Sequence, residues 1–232
     1  MATLNLLYKQ EYAINEHIKI QIPTVGEVLD NEDDYYTMVT MLTAMPVDMM
    51  VQLDDIGVDF TAVNEYELFL ILFNALKDKD TSLIFVLLDL KPFRSAVNPQ
   101  NNTIVLRDKE TGVVIDRGIQ GQIASVLRKI HNLKRNNRKP ANQEAREYML
   151  QRAREKMRRR SKRVNDSQLE ELIVAMVNTE QFHYGFEGTR ELSIYQFNES
   201  VYQIIKKIDY DNRMHGIYAG TMGRFILTLL CL

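Results

Sequence analysis

The residues that could do chemistry in this chain are few and scattered. Its four histidines, His17, His131, His183 and His215, are far apart, and no two stand at the i, i+4 spacing of a helical metal pair. There is no CxxC, so no cluster of N or S ligands offers itself to zinc. Asp54-Asp55-Ile-Gly-Val-Asp59 resembles a calcium loop at a glance, but it lacks the alternating ligand ladder and the bidentate Glu at the twelfth position. It reads instead as an exposed helix end and turn. No GxxxxGK[ST] or GxGxxG phosphate loop is present. Gly118-Ile-Gln-Gly121 forms a GxxG between an expected strand and an expected helix, a spacing that RNA-binding KH modules use and that ordinary turns share. Cys231 sits in an apolar segment with only Arg224 as a basic neighbour, and a reactive thiol needs an electropositive setting. No serine stands in a GxSxG elbow. The expectation is a protein that is not an enzyme, with no catalytic residue, no metal and no cofactor.

Charge carries the strongest signal. The net charge is only −2, but residues 1–100 hold 6 Lys/Arg against 16 Asp/Glu, and residues 128–163 hold 15 against 3. A helix this basic repels itself, so something must offset the cost. Three readings are open: neutralisation by the acidic N-terminal part, docking on an acidic partner protein, or contact with nucleic-acid phosphates through counterion release. Tyr148 is the only aromatic residue in the block, which weakens the last reading, since single strands bind on stacked rings. The chain also has 11 methionines, five of them at Met38, Met41, Met45, Met49 and Met50. Such residues fill ordinary cores, and they also line adaptable grooves.

The elements that must position these groups follow from periodicity. The chain has 232 residues, 45% of them hydrophobic and 26% charged, enough for a substantial core. Ile18, Ile20 and Ile22 alternate with polar residues and predict a strand ended by Pro23, with a turn at Asn15-Glu16. Asp33 or Asp34 is the expected cap of a helix bearing Tyr35, Met38, Val39, Leu42 and Met45. Pro46 suits the first turn of a short helix that Gly57 stops. Asn64 and Glu67 have capping-box spacing and open a helix that is apolar nearly all round. Residues 82–90 fit a helix or a buried strand. Residues 103–107 and 113–116 predict a hairpin around a loop ending in Gly112. A helix with Ile119, Ile123, Val126, Leu127, Ile130 and Leu133 follows. Asn142 caps the basic helix, whose narrow stripe is Ala145, Met149, Ala153 and Met157. Its arginines Arg158, Arg159 and Arg160 are expected to face solvent. Leu169, Leu172, Ile173, Met176 and Val177 predict another helix, and residues 182–188 an aromatic, glycine-broken connection. A last helix over 192–208 is expected to turn Ile194, Phe197, Val201, Ile204, Ile205 and Ile208 inward.

The fold class is therefore α+β, predominantly helical: short N-terminal strands, one central β-hairpin packed with helices, a long basic helix in the middle and a C-terminal helical part. The expected divisions are an acidic α+β part over 1–133, a basic helical connector over 134–164, a C-terminal helical region over 165–222, and an apolar tail over 223–232. A single cysteine excludes a disulfide framework. No leader pattern opens the sequence, and no apolar run reaches the roughly 18–20 residues that span a bilayer. These features point to the cytoplasm, with no membrane partner.

Three early segments carry a resemblance: Ile18-Lys-Ile-Gln-Ile-Pro-Thr-Val-Gly-Glu27, Met41-Leu-Thr-Ala-Met-Pro-Val-Asp-Met-Met50 and Glu65-Tyr-Glu-Leu-Phe-Leu-Ile-Leu-Phe73. They resemble the openings of bacteriophage and prophage tail-morphogenesis proteins of Gram-positive hosts, tail assembly chaperone-like or baseplate-assembly proteins. Residues 115–133 and 176–184 are similar too, and the likeness extends over 8–220. The resemblance implies a protein of the host-cell cytoplasm that binds apolar helical segments of a tail structural protein, a tape measure or baseplate component. Met45, Met49, Met50 and Leu53 would line the groove, and Arg158, Arg159 and Arg160 would dock electrostatically. Residues 223–232 depart from the family pattern with an abrupt apolar composition, suggestive of a frame change. The alternative function is nucleic-acid binding through 128–163.

Overall fold

The computed structural model describes residues 5–100, 102–160 and 167–219. Among these it forms nine α-helices and two small antiparallel sheets, an α+β, mostly helical fold.

Strand β1 (Glu11–Ala13) returns as β2 (Lys19–Gln21) in register Tyr12↔Ile20. The Asn15 carboxamide oxygen accepts from the backbone N–H groups of His17 and Ile18 at 2.9 and 2.7 Å, which closes the turn. Ile18, Ile20 and Ile22 are all buried, as their alternation requires. Residues 82–90, open between helix and strand from sequence, are turns with a single bridge, Ile20↔Phe85. Thr24 and Glu27 then form a capping box, with the Thr24 N–H donating to the Glu27 carboxylate at 2.7 Å. They start a helix the sequence reading passed over, α1 (Val25–Leu29).

Helix α2 (Glu32–Thr43) begins earlier than expected. Its N-cap is Asn31, neither Asp33 nor Asp34, and the Asn31 side chain donates back to the Glu27 carbonyl at 3.1 Å. The chain therefore passes directly from α1 into α2. The two aspartates sit in the first turn, where carboxylates favour the helix dipole. A 3₁₀ turn over Pro46–Met49 leads to α3 (Met50–Asp55), which ends at Gly57 with φ 74°.

Helix α4 (Glu65–Leu76) opens on the expected box: Asn64 accepts from Tyr66 and Glu67 N–H, and its own N–H donates to the Glu67 carboxylate. Its nearly continuous apolar surface has a simple cause. Tyr66, Phe69, Phe73 and Leu76 enter the main core, while Leu68 enters a second, smaller one.

The expected hairpin is part of a three-stranded sheet. Strand β4 (Ile104–Arg107) pairs with β5 (Val114–Ile115) around Gly112, which has φ 72°, and on its other edge with β3 (Arg94–Val97). Asp108 organises the turn by accepting from Glu110 N–H and the Thr111 hydroxyl.

Helix α5 (Arg117–Ile130) buries Ile123, Val126, Leu127 and Ile130, whereas Leu133 lies beyond its end and is exposed. The irregular segment 131–142 leads to α6 (Gln143–Arg160), with Asn142 accepting from Ala145 N–H at 2.8 Å. Three further helices follow: α7 (Gln168–Val177), α8 (Phe186–Glu191) and α9 (Ile194–Tyr218). Part of the stretch read as a broken connection is thus the short helix α8. The expectation for α9 needs correction at its far end. Ile194 and Phe197 are buried, but Ile205 is 58% exposed and Ile208 is also exposed, because the helix continues past the core it packs on. The apolar tail and its suggested frame change lie outside the described residues.

The main core draws on residues from Leu6 to Phe197. Val25 N–H donates to the Leu192 carbonyl and Ile194 N–H to the Pro23 carbonyl, both at 2.8 Å, so the first helix is stitched to the start of the last. Helices α1 and α8 approach closely at Gly26. A Cβ there would stand 2.6 Å from Arg190 Cγ and 3.3 Å from its carbonyl oxygen. Gly26→Ala should therefore force Arg190 away from its 2.6 Å pair with Asp30 and destabilise the fold by about 1–3 kcal/mol, read as a lower denaturation midpoint. An unchanged midpoint would show that Arg190 yields freely.

Candidate functional site: a helix-filled groove and a basic cleft

The acidic and basic parts of the chain meet. The smaller core is built from Ala44, Val47, Leu53, Phe60 and Leu68, with Met45, Met49 and Met50 packed around it. It is completed by Leu150 and Met149 of α6. Leu53 is fully covered, while the three methionines are half-buried. The methionine-lined surface therefore holds an amphipathic helix, the chain's own. Of the expected α6 stripe, Ala145, Met149 and Ala153 are half-buried. Met157 is exposed one turn beyond Ala153, and Leu150, which the every-fourth-residue reading missed, is buried.

Arginines clamp α6 to the end of α3. Arg154 donates to Asp54 at 2.8 Å and to Asp55 at 2.6 Å, and both carboxylates hold its guanidinium above its ordinary pKa. Arg146 lies 3.7 Å from Asp54 and 3.2 Å from Asp59, with its guanidinium 5.6 Å from the centre of the Phe60 ring. The Thr61 backbone N–H and hydroxyl, aided by Arg146, keep the Asp59 carboxyl below its usual range. The stretch that resembled a calcium loop is thus occupied by two guanidinium groups. Among the described residues, no group of three or more His, Cys, Asp or Glu is placed to hold a metal ion.

Arg158 and Arg159 are exposed, on the part of α6 that extends past the clamp. The Arg160 side chain, like Lys162 and Arg163, lies outside the described residues. The sequence-named residues thus fall in two places: Met45, Met49, Met50 and Leu53 under α6, Arg158 and Arg159 away from them.

Beside the groove runs a cleft of about 920 Å³ between the start of α4, one face of α5 and residues 133–140. Glu65 binds two of its arginines, Arg128 at 2.6 Å and Arg135 at 2.7 Å. The Glu65 and Arg128 side chains are each only 12% exposed. Arg128 also donates to the Thr43 carbonyl, and Met45 Sδ lies 3.7 Å from it and 3.4 Å from Arg135 Nε. Asn136 ties the segment to Asp48 at 2.7 Å. Arg117, Arg138 and Lys139 line the same cleft. The GxxG is not a loop: both glycines lie in the first turns of α5, capped by Asp116, and Gly121 opens onto the cleft.

A further cluster went unnoticed in the sequence. His131 Nε2 lies 3.0 Å from the Tyr35 hydroxyl, and its Nδ1 lies 3.4 Å from Asn198 Nδ2, which also donates to the Ile130 carbonyl. Burial pushes His131 down to about 4 and Tyr36 up to about 12, and raises Tyr35 as well. The arrangement suits a neutral imidazole that accepts at Nδ1 and carries its proton on Nε2. It joins α2, the end of α5 and α9.

Residues 160–224 match the family model described as the YomV second domain, a phage-derived family of a Bacillus prophage, and the match fits a phage protein. The matched span contains α7, α8 and α9 within its described part. No curated protein and no solved structure matches the chain. Among the described residues, no helix is long and apolar enough to cross a membrane.

Proposed function

We propose that the chain is a phage tail-assembly protein that works in the host cytoplasm by binding, without covalent chemistry. Its ligand is an apolar helical segment of a tail structural protein, such as the tape measure or a baseplate component. One observation carries the reading: Met45, Met49, Met50 and Leu53 form a seat that receives an amphipathic helix through Met149 and Leu150. In this reading α6 is a placeholder, and a partner helix takes its seat by the mode in which grooves take amphipathic helices. Arg158, Arg159 and Arg160 supply electrostatic docking at the margin. The phage-derived family match supports the setting. The chain's own carboxylates engage Arg128, Arg135, Arg146 and Arg154, which lowers the charge that the nucleic-acid alternative could use.

Loosening the placeholder tests the reading. Arg146→Glu with Arg154→Glu should free the seat and increase capture of a co-expressed tape-measure protein, whereas Met49→Asp with Met50→Asp should abolish it. Capture that ignores both pairs of changes would overturn the proposal. Tight DNA or RNA binding at about 150 mM salt, lost when Arg158, Arg159 and Arg160 are all changed to Glu, would establish the nucleic-acid alternative.

A further inference from the structure

The basic cleft has a composition that the helix seat does not explain. Arg117, Arg128, Arg135, Arg138 and Lys139 line it against one carboxylate, Glu65, which is spent on Arg128 and Arg135. Arg117, Arg138 and Lys139 have no ion-pair partner among the described residues. On the cleft's α5 wall lies Gln120, only 3% exposed, whose carboxamide makes no hydrogen bond among the described residues. Among the described residues no buried side-chain nitrogen or oxygen lacks a partner, so the Gln120 amide atoms keep access to the cleft and can pair with a ligand there. Next to it the helix is bare: a Cβ on Gly121 would meet nothing within 4 Å.

We infer that this cleft docks an acidic, extended segment of a partner polypeptide. The free cations attract carboxylates and fix their position through charge-assisted hydrogen bonds. The Gln120 amide both donates and accepts, which matches a peptide group, whereas a phosphate diester offers only acceptors. The small wall at Gly121 and Ser125 lets a main chain approach α5, and Met45, Val47 and Leu133 supply apolar contact. A nucleic acid would want an exposed ring to stack on, but the two aromatic residues of the cleft, Phe60 and Tyr66, are buried. The cleft shares Met45 with the helix seat and Val47 and Phe60 with the small core beneath α6, but none of its cations belongs to the Arg146 and Arg154 clamp, so the two sites can be probed separately.

Fluorescence anisotropy on the full chain tests this with three labelled probes: a short peptide of glutamates interspersed with leucines, its lysine counterpart, and an oligothymidylate of equal length. The glutamate peptide should bind saturably and more weakly as salt rises, and the lysine peptide should not bind. Arg138→Glu with Lys139→Glu should weaken binding by about tenfold or more. Gly121→Leu, which blocks the cleft without altering charge, should weaken it about as much while the circular dichroism and melting curve stay intact. Retained binding in folded Gly121→Leu would place the peptide elsewhere and overturn the inference. Oligothymidylate binding that is tighter than peptide binding and lost in the charge-reversed protein would overturn it in favour of nucleic acid. Should Gly121→Leu fail to fold, Arg117→Glu on the exposed rim decides the matter in the same way.

Discussion

Glu65→Ala is expected to destabilise the protein by about 3 kcal/mol or more, the range found when one partner of a buried ion pair is removed. The reason lies in what remains. Arg128 is as deeply set as Glu65 and would keep only the Thr43 carbonyl and the Met45 sulfur, while Arg135 would lose the pair that ties the segment leading to α6 to the start of α4. Denaturant unfolding measures this as a lower midpoint with an unchanged slope. A comparison variant separates the worth of the pair from the penalty of orphaning a charge. Glu65→Leu with Arg128→Met removes both charges and should cost clearly less than Glu65→Ala. A loss below about 1 kcal/mol for Glu65→Ala, the range of exposed pairs, would show that water reaches the arginine and that the pair does not anchor the cleft.

Acidification should weaken the fold before the carboxylates titrate. An unfolded chain protonates His131 near its ordinary value of 6.5, whereas the folded protein holds it neutral down to about 4. Between those values the unfolded state binds more protons, so stability is full above pH 6.5 and falls as the pH drops toward 4. At about 1.4 kcal/mol per unit, the loss reaches roughly 3 kcal/mol. Protonation would also set a new N–H at Nδ1 against the Asn198 amide. His131→Gln should start from lower stability at neutral pH, because the Tyr35 and Asn198 contacts change, but its stability should decline much less across this window. Parallel curves for the two proteins would mean that His131 does not report the transition.

Local signals were legible in the sequence, and distant pairings were not. Asn64 and Glu67 announced their helix because a capping box is contained within four residues. Thr24 and Glu27 carried the same signal and were passed over beside the stronger strand pattern. Ile18, Ile20 and Ile22 fixed a face because alternation needs only one strand. Ile205 and Ile208 misled for a physical reason: periodicity says which residues share a face, but not where the core beneath that face ends. Strand β3 escaped notice because Arg94-Ser-Ala-Val97 has little apolar alternation, and its β structure comes from pairing with β4. Charge totals foretold that acidic and basic parts could meet. They could not assign Arg154 to Asp54 and Asp55, about a hundred residues away, or bring Gln120 into a cleft with Arg138.

The stitch between Pro23–Val25 and Leu192–Ile194 bears on how the chain is made. Two backbone hydrogen bonds close a loop that spans most of the polypeptide, so the contact has a high sequence separation and forms late. At ribosomal rates of about 5–20 residues per second, on the order of ten seconds separates the synthesis of α1 from that of α9. During that interval α1, whose Val25 and Val28 are fully covered in the finished fold, lacks α8 and α9, two of the helices it packs against. The nascent chain therefore passes through a stage in which its N-terminal elements are complete in sequence yet open to chaperones and proteases, and release of α9 ends that exposure.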